Sequence, residues 1–513
     1  MRNRPITPWG VGLGLLVATA LAIARPEAVL AQAGRLATLD EFVETGMKAW
    51  DVPGLALAIV KDDSLVLVRG YGVRKLGSEL PVDGHTLFAV ASYTKAFTAA
   101  ALGILVSEDK LDWDDPVSGF LPDFELYDPW VTRQLTIRDL LSHRTGYPGW
   151  AADHLWQGSD YDSAEILHRF RYQRSEGGFR SVYGYSNIMY LAAGEIISVV
   201  THQSWEAFVT KRLLQPLGMH ESTVTIRDLE KRDNVAAPHM AVDGELTPLV
   251  PFDPWNVAPA MALNSNAIDM AQWLRLHLAE GVLEGDTILA PNIVAEMQSP
   301  QIWWDGPGAV AELEQRTFSA YGLAWDLYDY HGRKVVRHDG SIDGMTSLLT
   351  MVPEEGFGVV VLTNKVPNQL TEAVVHQVMD AYLDVADRDW NAVLLEQRTE
   401  QRMAEKERAW RWEEIRTKGT KPTLPRSQYL GEYFDQLSGG ATITKEKGHL
   451  VFRYNSKYVG DLEHWHYDVY HIRWRDPYVS TWAGKFLRFI PDGAGGIGSL
   501  RVRFDNDIEF HKR

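Results

Sequence analysis

Apolar residues change their spacing several times along this chain, and each change marks an element. Leu55 to Val60 and Leu65 to Val68 are short apolar runs around the polar tetrad Lys61-Asp62-Asp63-Ser64, the pattern of a β-hairpin. Leu87 to Ala91 leads into Ser92-Tyr93-Thr94-Lys95, and Ala96 to Val106 continues as a long apolar run, which predicts a buried helix starting near Ser92. Helical spacing recurs over Ile137 to Ser142, Ser163 to Phe170, Ile188 to Val200 and Asn266 to Leu278, so the region from roughly 92 to 285 reads as mainly helical. Strand-like runs return at 322–327, 334–337, 346–352 and 357–363, the last two flanking the turn Pro353-Glu354-Glu355-Gly356. They predict one antiparallel sheet together with the first hairpin, closed by a helix from about Thr371 to Asp387.

Beyond that helix the pattern changes twice. Glu396 to Arg416 carries Glu, Arg and Lys at helical neighbour spacings, with Trp410 and Trp412 scattered among them, and predicts a solvated linking helix. Thr417 to Pro425, with Gly419, Pro422 and Pro425, reads as a linker. From about 426 the period falls to two: Leu450 to Tyr454, Val469 to Trp474, Phe486 to Ile490, Leu500 to Phe504 and Ile508 to Phe510 alternate apolar and polar residues, separated by turns such as Pro491-Asp492-Gly493. The predicted fold class is α+β: an antiparallel sheet flanked by helices plus a mainly helical subdomain, followed by a small C-terminal all-β barrel. The expected divisions are 1–33, 34–387, 388–425 and 426–513.

The first of these divisions reads as a signal peptide. Arg2 and Arg4 precede an apolar run, Val11 to Ala24, too short for a stable anchor, and small-residue cleavage sites follow at Val29-Leu30-Ala31 and Ala31-Gln32-Ala33. Export to a periplasmic or extracellular location is expected, with an uncleaved tether as the alternative and no stable membrane span after cleavage. Composition narrows the partners. A net charge of −17 over 513 residues argues against nucleic acid and anionic membranes. The absence of cysteine excludes disulfides, thiol catalysis and cysteine metal sites. Eighteen tryptophans and twenty tyrosines fit heavily packed β structure or a carbohydrate-like surface, of which the former is commoner.

Candidate chemistry starts at Ser92 and Lys95. One helical turn apart, the amine can reach the hydroxyl. An apolar setting disfavours the ammonium, so a base stands beside a nucleophile. The spacing alone is weak, because Ser107-Glu108-Asp109-Lys110 repeats it among Asp112, Asp114 and Asp115, where it reads as a polar helix end. Two companions strengthen the first copy. Tyr185-Ser186-Asn187 offers a phenol to relay a proton and an amide to hold the lysine; a helix cap before Ile188 explains the same residues. His338-Asp339-Gly340-Ser341 lies at a strand edge, where glycine lets a substrate backbone come close; alone it would be an Asp-Gly turn beside a surface histidine.

In this order the three sites resemble the penicillin-binding-protein and serine β-lactamase superfamily, whose pattern is Ser-x-x-Lys, Tyr-x-Asn, then Lys-Thr-Gly or His-x-Gly. Leu140-Leu141-Ser142-His143-Arg144-Thr145-Gly146, Pro216-Leu217-Gly218-Met219 and Ser341-Ile342-Asp343-Gly344 resemble further stretches of that family, and the likeness covers roughly residues 36 to 386. It implies a β-lactamase/transpeptidase-like fold with Ser92 as the acylated nucleophile, Lys95 as its base and Tyr185 as the proton relay. Asn187 would brace Lys95 and substrate, His338 would stand where many relatives have lysine, and Gly340 and Ser341 would line the substrate strand. The backbone amides of Ser92 and Ser341 would form the oxyanion hole. A partly charged His338 and a repelling Asp339 suit an anionic drug poorly, so the His-x-Gly branch of esterases and peptidases fits better than a β-lactamase.

The expected function is therefore a serine hydrolase forming an acyl-enzyme on small-molecule esters, amides or peptides, D-amino-acid substrates among them. A β-lactamase or D-alanyl-D-alanine carboxypeptidase is one alternative, and a slow ligand-binding or sensing protein on the same fold is another. Tyr429-Leu430-Gly431-Glu432-Tyr433 and His464-Trp465-His466-Tyr467-Asp468 resemble the lipocalin-like domain that follows some of these hydrolases. His464, His466 and His471 invite a metal reading, but barrel-lining histidines explain them better without a third ligand. No cofactor and no metal is expected; the oligomeric state is left open.

Overall fold

One strand shows how the sheet divides its surroundings. In β1 (Gly54–Lys61), Ala56, Ala58 and Val60 join one apolar core while Leu55, Leu57 and Ile59 join another. That is the period-two alternation of a strand covered on both faces. The computed structural model describes residues 38–304, 310–386 and 388–513. The expected signal segment 1–33 lies outside them, as does Asp387 at the expected end of the closing helix.

Around β1 the sheet comprises β2 (Ser64–Gly72), β3 (Ile302–Trp303), β4 (Ser319–Tyr321), β5 (Asp326–Tyr330), β6 (Arg333–Ile342), β7 (Met345–Val352) and β8 (Phe357–Thr363). Its order is β2-β1-β8-β7-β6-β5-β4-β3, with every pair antiparallel. The single strand expected over 322–327 is instead mostly the turn that joins β4 to β5, with only Asp326 and Leu327 in a strand. Gly322 donates to the Trp325 carbonyl and Ala324 adopts φ +68°, which makes a tight turn of buried residues. The apolar run there signals burial, not extension.

One face of the sheet packs on α1 (Leu39–Trp50), through Leu39, Val43, Met47 and Trp50, and on later helices described below. The other face carries the helical region, in which α2 (Thr94–Ser107), α3 (Asn187–Thr201) and α4 (Ala267–Leu278) contribute to the larger core. α2 is apolar all round and buried through Leu105, as a central helix must be. The helix closing the first face, α5 (Leu370–Leu383), starts where expected but stops at Leu383, short of the expected end, because Asp384 turns left-handed; α6 (Trp390–Ile415) follows it. Trp390 and Leu394 anchor α6 in the core below the sheet; the rest of the helix is mostly exposed.

The C-terminal part is a closed antiparallel barrel of eight strands, β9 (Gly431–Asp435) to β16 (Asp507–Lys512). Between them run β10 (Gly439–Glu446), β11 (His449–Arg453), β12 (Val459–His466), β13 (Val469–Trp474), β14 (Phe486–Pro491) and β15 (Ile497–Arg503). The sequence pattern marks five of the eight. β9, β10 and β12 are less legible because glycines and polar residues dilute their alternation. His464 bonds the Tyr467 carbonyl, His466 accepts from the Thr417 amide, and His471 lies beside Trp465 and Phe486. None of the described helices is long and apolar enough to cross a membrane.

Trp390 joins α6 to α5 through an indole N–H donated to Asp380 at 2.7 Å, and it is fully buried. Trp390→Ala should destabilise the folded chain by about 3–5 kcal/mol, read as a lower midpoint in chemical denaturation.

Candidate active site

A strained turn delivers Ser92 to the sheet edge. Ser92 lies in a single 3-10 turn, Ala91–Tyr93, immediately before α2, and Ala91 holds φ +51°. A non-glycine residue in that region is costly and persists only where its surroundings enforce it. Here Thr94 Oγ1 donates to the Ala91 carbonyl at 2.7 Å and accepts from the Leu263 amide at 3.0 Å. Ser347 Oγ donates to the Val90 carbonyl at 2.9 Å. That carbonyl also explains Gly340: a Cβ there would stand 2.1 Å from Val90 O and 2.5 Å from Ser347 Oγ. The close approach expected of a substrate backbone at Gly340 is thus occupied by the turn that carries Ser92.

Lys95 is completely buried one turn into α2. Its Nζ lies 3.2 Å from Ser92 Oγ, 2.7 Å from Asn187 Oδ1 and 3.0 Å from the Ala260 carbonyl. Burial lowers its pKa to about 7, against the opposing charges of Asp153 and Asp339. Near neutral pH a substantial fraction is therefore free amine. The second Ser-x-x-Lys copy differs in every respect: Ser107 bonds the Ile104 carbonyl, and Lys110 is exposed and paired with Glu108.

Tyr185 and Asn187 come from the start of α3. Ser186 caps that helix by accepting from the Met189 amide, while its own amide donates to His143 Nδ1 at 3.0 Å. Gly184 is required here, since a Cβ would fall 1.8 Å from the Tyr147 carbonyl. The Tyr185 ring lies beneath Lys95, with Nζ 4.7 Å from its centroid. Burial pushes the phenol well above its ordinary pKa, with a hydrogen bond to Ser92 opposing the shift. Cap and chemistry therefore coexist on the same three residues.

His338 projects from β6 onto the same face. Its Nδ1 lies 2.6 Å from the Asp339 carbonyl, which can only accept, so Nδ1 carries the proton and Nε2 accepts from the Tyr321 hydroxyl at 3.0 Å. Burial lowers its pKa to about 4. The expected partial charge is corrected to a neutral imidazole. The expected repulsion by Asp339 changes too. Strand alternation turns Asp339, exposed, to the opposite face with Arg337, although its field still reaches Lys95. Pairing of β5 stops at Arg337, so 338–342 forms an edge free of that neighbour. Ser341, exposed on this edge, meets the Tyr478 hydroxyl of the barrel.

The structure thus brings Ser92, Lys95, Tyr185, Asn187 and His338 together, places Gly340 under the serine turn and sets Ser341 at the barrel contact. Sequence reasoning missed Asp153, whose Oδ2 accepts from Asn187 Nδ2 at 2.7 Å, and the aromatic wall of Tyr190 and Tyr321 around His143. It also missed the Ala260 carbonyl, which no side-chain motif can reveal. Among the described residues, Glu314, Glu372 and His376 have ligand-like spacing. Arg316 and Arg337 already pair the two carboxylates at 2.5 and 2.6 Å, so the cluster is a buried ion network.

The barrel docks beside this cleft. His154 bonds Asp505 at 2.9 Å and Ser438 at 3.0 Å, Asn455 donates to the Gln157 carbonyl at 2.8 Å, and Lys457 pairs with Asp343 just beyond the 338–342 edge.

The sequence model of the family described as "Beta-lactamase" matches residues 39–383, and a "Domain of unknown function" model matches 415–513. An unguisins hydrolase of Aspergillus campestris is 31% identical over 422 residues, covering 79% of this chain and 76% of that protein. Penicillin-binding protein 4 of Amycolatopsis lactamdurans is 31% identical over 322 residues, covering 61% of this chain and 81% of that protein. Among solved structures, the octameric penicillin-binding protein homologue from Pyrococcus abyssi superposes with a TM-score of 0.62 at 22% identity, over 93% of this chain and 99% of that chain.

Gly340→Ala should lower stability by about 1–3 kcal/mol by forcing the Val90 carbonyl away from β6. Thermal denaturation reads that loss.

Proposed function

The chain belongs to the beta-lactamase family of serine hydrolases, and from that premise we propose an exported enzyme that forms an acyl-enzyme through Ser92 on esters, small peptides or amides, D-amino-acid substrates included. The observation that carries this reading is the buried Lys95 amine 3.2 Å from Ser92 Oγ. In the first step Ser92 Oγ bonds the substrate carbonyl carbon and its proton passes to Lys95 Nζ. Tyr185 then donates a proton to the leaving oxygen or nitrogen as that bond breaks. Water cleaves the resulting ester in a second step by the same relay in reverse. Asn187 holds Lys95, and the amides of Ser92 and Ser341 receive the developing oxyanion.

Neutral His338 supports the choice of substrate. A cation at that place would attract a carboxylate; a neutral imidazole, its two ring nitrogens engaged by the Asp339 carbonyl and the Tyr321 hydroxyl, adds no net charge to the cleft. Exposed Trp150, its ring 6.0 Å from that of Tyr185, adds an apolar rim. Likeness to a penicillin-binding protein keeps the β-lactamase or carboxypeptidase reading as the rival. Export is supported by the arginine-led apolar N-terminus.

A fluorophosphonate should add its mass to Ser92 and leave Ser92→Ala unmodified; no label at any serine would favour a binding protein instead. Ser92→Ala, Lys95→Ala and Tyr185→Phe should each lose roughly a thousandfold or more in turnover of p-nitrophenyl acetate. Strong nitrocefin hydrolysis with none of esters or D-amino-acid amides would favour the rival.

The acylation rate should rise with pH. Lys95 is a base only when deprotonated, and its lowered pKa puts the half-maximum near about 7, with a plateau above. A pH series of fluorophosphonate labelling rates checks this; a half-maximum near the ordinary lysine value would contradict it.

A further inference from the structure

The structure assigns Asp153 the role of a positioning residue: it orients the Asn187 amide toward Lys95, and the barrel residue Asp505 acts on the base through it. This rests on the serine–lysine reading above. Asn187 stands between two partners. Its Nδ2 donates to Asp153 Oδ2 at 2.7 Å and its Oδ1 accepts from Lys95 Nζ at 2.7 Å. A side-chain amide has a donor end and an acceptor end, and a carboxylate can only accept. Ionised Asp153 therefore fixes which end faces the lysine. With the amide reversed, its NH2 would donate into the lone pair of the free amine, the same lone pair that must take the Ser92 proton. Asp153 thus keeps the base available without touching substrate.

The segment carrying Asp153 is held from the barrel. Asp153 begins a short 3-10 turn, Asp153–Leu155, that follows two non-glycine residues at positive φ, Trp150 at +59° and Ala152 at +62°. The next residue, His154, is fully buried and is gripped on both ring nitrogens by Asp505 Oδ1 and Ser438 Oγ. Asp505 is itself buried, with 3% of its side chain exposed. Polar contacts thus run from the barrel to His154 and from Asp153 through Asn187 to Lys95, and the backbone of the turn joins the two.

The charges along this route act on one another. Asp153 faces Lys95 from α2, Asp505 from the barrel, and the hydroxyls of Tyr458 and Tyr478. Lys95 also feels Asp339 and adjoins His143, His338, Tyr185 and Tyr190. Burial raises the Asp153 pKa to about 7; Asp505 adds to the rise, and Asn187 and Lys95 oppose it. The signs follow. An ionised Asp153 stabilises the Lys95 ammonium, so removing its charge lowers the pH at which the amine becomes free. Removing the charge of Asp505 favours ionised Asp153 and so raises that pH.

The test is the pH dependence of Ser92 labelling by a fluorophosphonate, measured on the full chain from pH about 5 to 10. Asp153→Asn should cut the plateau rate about tenfold or more and move the midpoint to lower pH by about half a unit or more. Asp505→Asn, which keeps an acceptor for His154, should move the midpoint to higher pH. Plateau loss in Asp153→Asn with an unmoved midpoint would mark Asp153 as merely structural and overturn the proposal. Displacement of both variants in the same direction would overturn it as well. If Asp153→Asn does not fold, Asp505→Asn decides alone: an alkaline displacement supports the link and an unmoved midpoint overturns it. Absence of label on Ser92 in the unaltered chain would fail the serine–lysine reading and this inference together, whereas label with unmoved midpoints would fail this inference only.

Discussion

An amine taken out of water is the constraint around which this molecule is arranged. A lysine in solution is almost wholly protonated at neutral pH, and burial disfavours the charged form. Lys95 is buried inside α2, a helix with almost no polar surface, so the core that folds the domain also sets the amine's protonation. The surroundings then keep that desolvation moderate. The Asn187 and Ala260 oxygens accept from Nζ, and the Asp153 and Asp339 charges pull the pKa back toward its ordinary value. Without these partners a buried lysine would be neutral but unplaced, and in an aqueous cleft it would be placed but charged.

The same economy governs the serine. Ser92 must stand partly exposed while its neighbours Ala91 and Tyr93 are buried. A left-handed Ala91 achieves this, and the cost is carried by contacts from three directions: Thr94 within the turn, Leu263 across the helical region and Ser347 on β7. Gly340 completes the arrangement by leaving room for Val90 against β6. Ser92, Lys95 and the sheet edge are therefore a single packing unit, assembled from segments roughly 250 residues apart in sequence.

Much of this was legible in the sequence, and the unread part has a physical reason. α2 and β1 announce themselves because both are buried on all sides, and the Ser-x-x-Lys spacing follows from helical geometry. The turn at 322–325 was not legible, because a buried turn and a buried strand are equally apolar. Asp153 was invisible for another reason. Its partner Asn187 lies across the fold, and its setting depends on backbone at Trp150 and Ala152 that ordinary residues seldom adopt. The protonation of His338 also needed the structure: a histidine on a strand edge is half-charged or neutral according to how deeply it is covered, and periodicity does not encode depth.

That neutrality bears on what the cleft selects. His338 and Asp339 are adjacent in sequence, yet strand alternation sends them to opposite faces, so the residue pair cannot be read as a pair of charges at the site. The imidazole is neutral and has both ring nitrogens engaged within the fold, while the next charge, Asp343 just beyond the strand, is paired with Lys457 from the barrel. A substrate lying along 338–342 therefore meets a wall with little net charge, closed at one end by the second domain. The barrel then belongs to the cleft's architecture: it supplies the partner that removes Asp343 as a charge and the hydroxyl that meets Ser341.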